Sequence, residues 1–312
     1  MDFLADVNWI YMLFAAFAGG AFGAAIGALP AFVFTGFMVI AGEASGTGAV
    51  TGDLGFGYFF GPHISFAGGA AAAAYAAKQN YLDDGKNIAA ALGTDIDVLA
   101  VGGLFGIFGA IFQLFMAGFG LPLDTIALTV VASALLHRVV FGYSLIGSPA
   151  GGFLDVGDTN AWLPHQYKWS GVAGIGLITG LLGGFTALAT GSPFMAFGIS
   201  AASLLFLNLG VEKIPVTHHM TLPAATIAIA VTATGDGVTA SAALAGTSEV
   251  VGLVMGGLFG VICALFGELF ERVFYAHGDT HVDPPAAAIV FGTILIALLY
   301  FSGIIGSASW VA

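Results

Sequence analysis

The chain has 312 residues, 58% hydrophobic and only 8% charged, with a mean hydropathy of +0.99. A soluble domain carries about 25% charged residues, so a soluble globular class is excluded and lipid is the expected solvent for most of the chain. Acids outnumber bases 18 to 6, for a net charge of −12, which argues against nucleic acid or other polyanions as partners.

The N-terminus, MDFLADVN, is acidic, and the apolar run that follows is too long for the core of a cleavable leader, so the first segment is expected to stay as a membrane helix. A spanning helix needs about 20 apolar residues. Runs at 9–42, 98–120, 171–190, 250–270 and 286–305 reach that length, with shorter ones between them. The expected fold class is all-α: a polytopic integral membrane protein with about nine or ten membrane segments in a multi-pass cell-membrane topology. The 48 glycines fall in small-xxx-small spacings such as Gly19-Gly23-Gly27, Gly102-Gly106 and Gly256-Gly260, which let helix backbones touch in lipid. The single cysteine, Cys263, cannot form an internal disulfide and is expected to pack.

The chain also repeats itself. GGLFGIFGAIFQLF from Gly102 returns as GGLFGVICALFGEL from Gly256, an offset of 154. FGPHISFAGGAAAA from Phe60 returns as VTHHMTLPAATIAI from Val216, an offset of 156. The polar stretch 151–170 separates two membrane repeats, 1–155 and 160–312, expected to pack as one structural domain. In each repeat a long Gly-rich segment meets a proline, Pro30 or Pro193. A histidine step follows, Pro62-His63 or Thr217-His218-His219, and then a short small-residue helix. The GGLFG helix and an aspartate step, Asp124 or Asp283, complete the unit. Several of these helices are too short to span; residues 64–77 cover about 21 Å. Broken or half-spanning helices that end inside a bilayer need a protein-lined cavity, and repeat-built transporters place their sites there.

Ionisable groups within membrane segments mark functional sites by default. The candidate substrate- or ion-binding residues are therefore His63, Ser65, Asp124, His219, Thr221 and Asp283. The histidines correspond through the offset, with Ser65 and Thr221 two residues on. Asp124, Thr221 and Asp283 have an alternative reading as helix caps. His277, Asp279, His281 and Asp283 alternate along the chain and suit a divalent metal by type; the alternative is a hydrated connection. Glu268, Glu271 and Arg272 close the second GGLFG helix and read as an interfacial face. Asp236 reads as a Gly-Asp-Gly turn.

The stretch at 60–77, FGPHISFAGGAAAAAYAA, together with the GGLFG helix, resembles a group of Gly/Ala-rich, permease-like membrane proteins. THVDPPAAAIVFGTI resembles the helix start of HPP-type membrane proteins, with Val282 and Asp283 standing between the histidine and the prolines. The permease resemblance implies transport and brings no substrate with it.

The expected function is a membrane transporter or channel for a small ion or polar solute, with its site between the repeats at half-helix N-termini. The alternatives are a non-catalytic integral membrane subunit of a larger complex, or a metal-dependent intramembrane enzyme. No Walker loop, dinucleotide fingerprint or nucleophile elbow occurs, so an enzyme is not expected. Nor is a cofactor beyond a bound ion. The expected partners are the lipid bilayer, the small ion or solute, and further copies in a homo-oligomer; in the larger-complex alternative the Gly-rich faces are subunit contacts.

Overall fold

The computed structural model describes residues 8–149, 151–152, 154–156, 161–234 and 242–307, and among these residues the regular structure is entirely helical. Asp236 and Trp310 lie outside the described residues. The first repeat holds α1 (Trp9–Ile26), α2 (Ala28–Ser45), α3 (Ala67–Lys78), α4 (Ile96–Gly118) and α5 (Thr125–Phe141). The second holds α6 (Trp169–Thr190), α7 (Met195–Asn208), α8 (His218–Thr232), α9 (Glu249–Phe270) and α10 (Pro284–Phe301). Six of these (α1, α2, α4, α6, α9 and α10) are long and apolar enough to cross a membrane. The other four are shorter.

The run 9–42 is two helices, not one. Gly27, at φ +96°, turns the chain between α1 and α2, a conformation that glycine adopts without steric cost. Phe22 of α1 then faces Phe34 of α2, with ring centroids 6.1 Å apart, as in a helical hairpin.

Glycine sets the packing inside each repeat. A Cβ on Gly20 of α1 would strike the backbone of Gly102 and Gly106 on α4. A Cβ on Gly180 of α6 would meet Gly256 O at 2.5 Å and Gly260 Cα at 2.9 Å on α9. The two crossings are the same crossing, displaced by 160 residues on one helix and 154 on the other. Without a hydrophobic drive between helices in lipid, such backbone approach provides the van der Waals contact that holds them.

The repeats meet through α2 with α7 and α5 with α10. A Cβ on Gly36 would meet Ala202 N at 2.5 Å, and one on Gly198 would meet Ile40 Cγ1 at 3.1 Å. Advancing along α2 therefore means retreating along α7, so the two helices are antiparallel. Beyond the end of α2, Phe56 touches Phe194 just ahead of α7, at 5.4 Å. The repeats are thus inverted, related by a pseudo-twofold axis that crosses the bundle.

With this topology the connections 79–95, 142–168, 209–217 and 271–283 gather on one face. Hydrogen bonds knit them together: Lys86 Nζ to Ala276 O at 3.1 Å, Ser148 N to His277 O at 3.1 Å, and Gln166 Nε2 to Val216 O at 3.0 Å. The segment after α2 behaves differently. It re-enters the bundle, and the Phe60 carbonyl, packed beside the middles of α1 and α2, accepts from Thr35 Oγ1 at 2.6 Å and Ser65 Oγ at 3.2 Å. These hydroxyls replace the water a buried carbonyl lacks. A π-helical turn, Pro62–Phe66, then leads into α3. In the second repeat α8 begins within the bundle, where Met220 is fully buried beside Val172 and Ala264.

Candidate functional site

A cavity of about 390 Å³ lies between the repeats, on the pseudo-twofold axis. Its wall is built from corresponding positions. Pro62 and Phe66 from the first repeat stand opposite His218 and Leu222 from the second, an offset of 156. Asp124, Ala127 and Val130 of the α5 region stand opposite Asp283, Ala286 and Ile289 of the α10 region, an offset of 159. Phe32, Phe197 and Leu204 complete the apolar floor.

The cavity opens toward the face where the connections gather. Lys86, Trp162, Val216 and Tyr275 from that face all line it. From the opposite side the lining takes Phe56, Pro62, Asp124, Ile126 and Phe197, all buried or half-buried beside the re-entrant segment or at the starts of α5 and α7. An outer hollow of about 710 Å³ shares Lys86, Trp162 and Tyr275 with the cavity and carries Asp83, Asp84 and Asp279.

Both aspartates cap helices. Asp124 Oδ1 accepts from Ala127 N at 2.8 Å, and Asp283 Oδ2 accepts from Ala286 N at 2.8 Å. Each satisfies an N–H that the first helical turn leaves open. Asp124 is further fixed across the repeats by its own N–H, which donates to Thr293 Oγ1 at 3.0 Å. His281 Nε2 donates to Asp283 Oδ1 at 3.1 Å. A carboxylate offers about four acceptor positions, so cap and site are compatible roles.

Of the six expected binding residues, the cavity wall contains Asp124 and Asp283 and omits His63, Ser65, His219 and Thr221. His63 lies against α4, where a Cβ on Gly109 would strike its carbonyl. His219 turns to a separate recess of about 20 Å³ with Glu268 and Glu271. Ser65 serves the Phe60 carbonyl, and Thr221 Oγ1 donates to His218 O at 3.2 Å. Thr221 is therefore no N-cap; it sits inside the first turns of α8. The offset identifies the right turn of helix but the wrong residue in it. Pro62 and His218, one position earlier, are the pair at the cavity.

His218 is 94% buried, packs its ring 4.7 Å from Phe32 and 5.9 Å from Phe197, and leaves Nδ1 without a hydrogen-bond partner. Lys86 is the cation of the wall. Its Nζ donates to Ala276 O and stands 4.8 Å above the Tyr275 ring. Burial pulls its pKa below the ordinary lysine value, against the opposing pull of Asp84.

His277, Asp279, His281 and Asp283 do not come together. Among the described residues no group of three or more His, Cys, Asp or Glu side chains is placed to hold a metal. His281 pairs with Asp283, and Asp279 faces the outer hollow. Glu268, Glu271 and Arg272 are buried rather than interfacial. Arg272 pairs with Glu268 at 2.7 Å and donates to the Leu154 and Tyr167 carbonyls. Glu271 Oε1 accepts from Trp162 N at 2.9 Å, which holds Trp162 at the cavity wall.

No curated protein and no solved structure matches the chain significantly. One family model does, and it matches twice, over residues 3–159 and again over 156–312. Each match covers one repeat, and the description names no permease activity. The chain belongs to the Family of unknown function (DUF7973), two copies of whose unit together cover residues 3–312.

Proposed function

We propose that the protein is a membrane transporter for a small solute, with the cavity between its inverted repeats as the binding chamber. The observation that carries this reading is the cavity's position and symmetry. Corresponding residues of the two repeats line it, and it opens toward one face of the bundle. Solute sites in repeat-built transporters lie at the repeat interface, and access alternates by rocking one repeat against the other. A continuous pore would instead be open at both faces. Asp124 and Asp283 sit at helix starts inside such a chamber, where polar groups converge on an otherwise apolar wall. A volume of about 390 Å³ suits a small organic molecule.

The test is solute uptake into liposomes containing the purified full-length protein, with Ala127→Phe as the cavity-filling variant. Saturable uptake that Ala127→Phe abolishes, in a variant that remains folded, is the expected result. Uptake that ignores this substitution, or no uptake of any solute class by folded protein, would overturn the proposal. Stoichiometric copurification with other subunits, without transport, would favour a non-catalytic subunit.

A further inference from the structure

We infer that the ligand of the central cavity is an organic cation: an ammonium group carried on an apolar, aromatic-sized body. The inference rests on the reading of this cavity as a solute chamber and goes on to name the chemical class.

Charge is the first consideration. The wall holds two carboxylates, Asp124 and Asp283, and one cation, Lys86. The Lys86 ammonium is already engaged by the Ala276 carbonyl and the Tyr275 ring, so it is not a free anchor for an anion. The starts of α5 and α10 would ordinarily attract anions. Here each is already occupied by the protein's own capping carboxylate. An incoming anion would meet those two carboxylates with no guanidinium in the wall.

The second consideration is the apolar lining. Phe32, Phe56, Phe66, Phe197, Trp162 and Tyr275 line the cavity, and ring faces attract ammonium groups most strongly where water is excluded. Lys86 above Tyr275 is an example within this protein. His218, 94% buried at the wall, packs its ring on Phe32 and Phe197 and so extends this aromatic surface. A divalent ion stripped of its water fits poorly, because it needs six or more oxygen ligands and the described residues gather no group of three or more His, Cys, Asp or Glu placed to hold one.

The third is the approach. The outer hollow that shares its wall with the cavity carries Asp83, Asp84 and Asp279. Against the single ammonium of Lys86 these three carboxylates leave the hollow net negative, and a cleft with an excess of one sign of charge concentrates ligands of the other sign.

The experiment measures binding of three molecules of similar shape to purified full-length protein by calorimetry: 2-phenylethylamine, 2-phenylethanol and 3-phenylpropionate. The amine is expected to bind at least tenfold more tightly than the alcohol, with the carboxylate weakest. Asp283→Asn and Asp124→Asn, which keep a capping oxygen, should each weaken the amine at least tenfold. Asp53→Asn, outside the cavity, should leave it unchanged. Equal or tighter binding of the alcohol or the carboxylate, no binding by any of the three, or amine binding indifferent to both Asn variants would overturn the inference. Amine binding without uptake into liposomes would retain the ligand class and remove transport. Uptake of an anion with which the amine does not compete would do the reverse.

Discussion

Arg138 is fully buried near the end of α5, and among the described residues no carboxylate pairs with it. It is satisfied by oxygen atoms instead. Nε donates to Thr280 Oγ1 at 2.9 Å, Nη2 to Thr280 O at 2.7 Å, and Nη1 to the Leu145 and Phe274 carbonyls at 2.6 Å each. One side chain thus ties the first repeat to the 271–283 connection of the second. The planar fork is what makes four acceptors reachable at once. Arg138→Ala would strand those acceptors, and a buried polar group left without its partner costs about 1–3 kcal/mol. Thermal unfolding in detergent should show that loss, with Arg138→Lys recovering less than half; full recovery by lysine would mean that charge alone matters. Asp124 separates two roles in the same way. Asp124→Ala should cost about 1 kcal/mol through the lost cap, whereas Asp124→Asn should unfold near the wild-type temperature while losing ligand. If Asn and Ala destabilise equally, Asp124 is held by its charge and not by its cap.

Helix contacts, unlike these polar ties, depend on side chains that are absent. Gly20 and Gly180 occupy equivalent crossings where a Cβ would meet backbone, while Gly174, on the same helix as Gly180, has open space within 4 Å of where its Cβ would be. Gly20→Ala and Gly180→Ala should therefore destabilise by about 1–3 kcal/mol, the cost of forcing a methyl into a packed contact. Gly174→Ala should be neutral, or gain about 0.5–1 kcal/mol from helix propensity. The measurement is the unfolding temperature of all three variants; a destabilised Gly174→Ala would mean that this surface packs against something other than lipid. The GGLFG repeat makes these crossings legible in the sequence alone, because backbone approach needs small residues at fixed spacing. The aspartates are legible for a related reason, since Asp before Thr or Pro-Pro marks a helix start. The histidines mislead. A 156-residue offset aligns His63 with His219, but a helix turns 100° per residue, so the neighbouring Pro62–His218 pair faces the cavity instead. The re-entrant segment before Pro62 leaves no mark in the sequence, because its hydrogen bonds come from Thr35 and Ser65, whose spacing says nothing about depth.

At the scale of the whole molecule, the inverted topology sorts the charges in a way the linear sequence hides. Lys78, Lys86, Arg138, Lys168, Lys213 and Arg272 are all six of the chain's lysines and arginines. Each falls at the end of a helix or in a connection on the face where the cavity opens. Glu43, Asp53 and Glu249, toward the opposite face, have no basic residue among them. Along the chain, Lys78 and Lys86 alone give a weak sign that the 79–97 connection is cytoplasmic; folded, the six cations make a bias of six to none. Loops rich in Lys and Arg stay in the cytoplasm, so the cavity mouth should face the cytoplasm, with the turn after α2 on the outer side. The check uses single cysteines in a Cys263→Ala background, at exposed Gly48 and exposed Glu212, treated on intact cells with a membrane-impermeant maleimide. Gly48→Cys should label at once, and Glu212→Cys only after the membrane is opened. The reverse pattern would put the mouth and its acidic hollow outside, and the six cations would then owe their shared face to the hydrogen bonds among the connections rather than to membrane insertion.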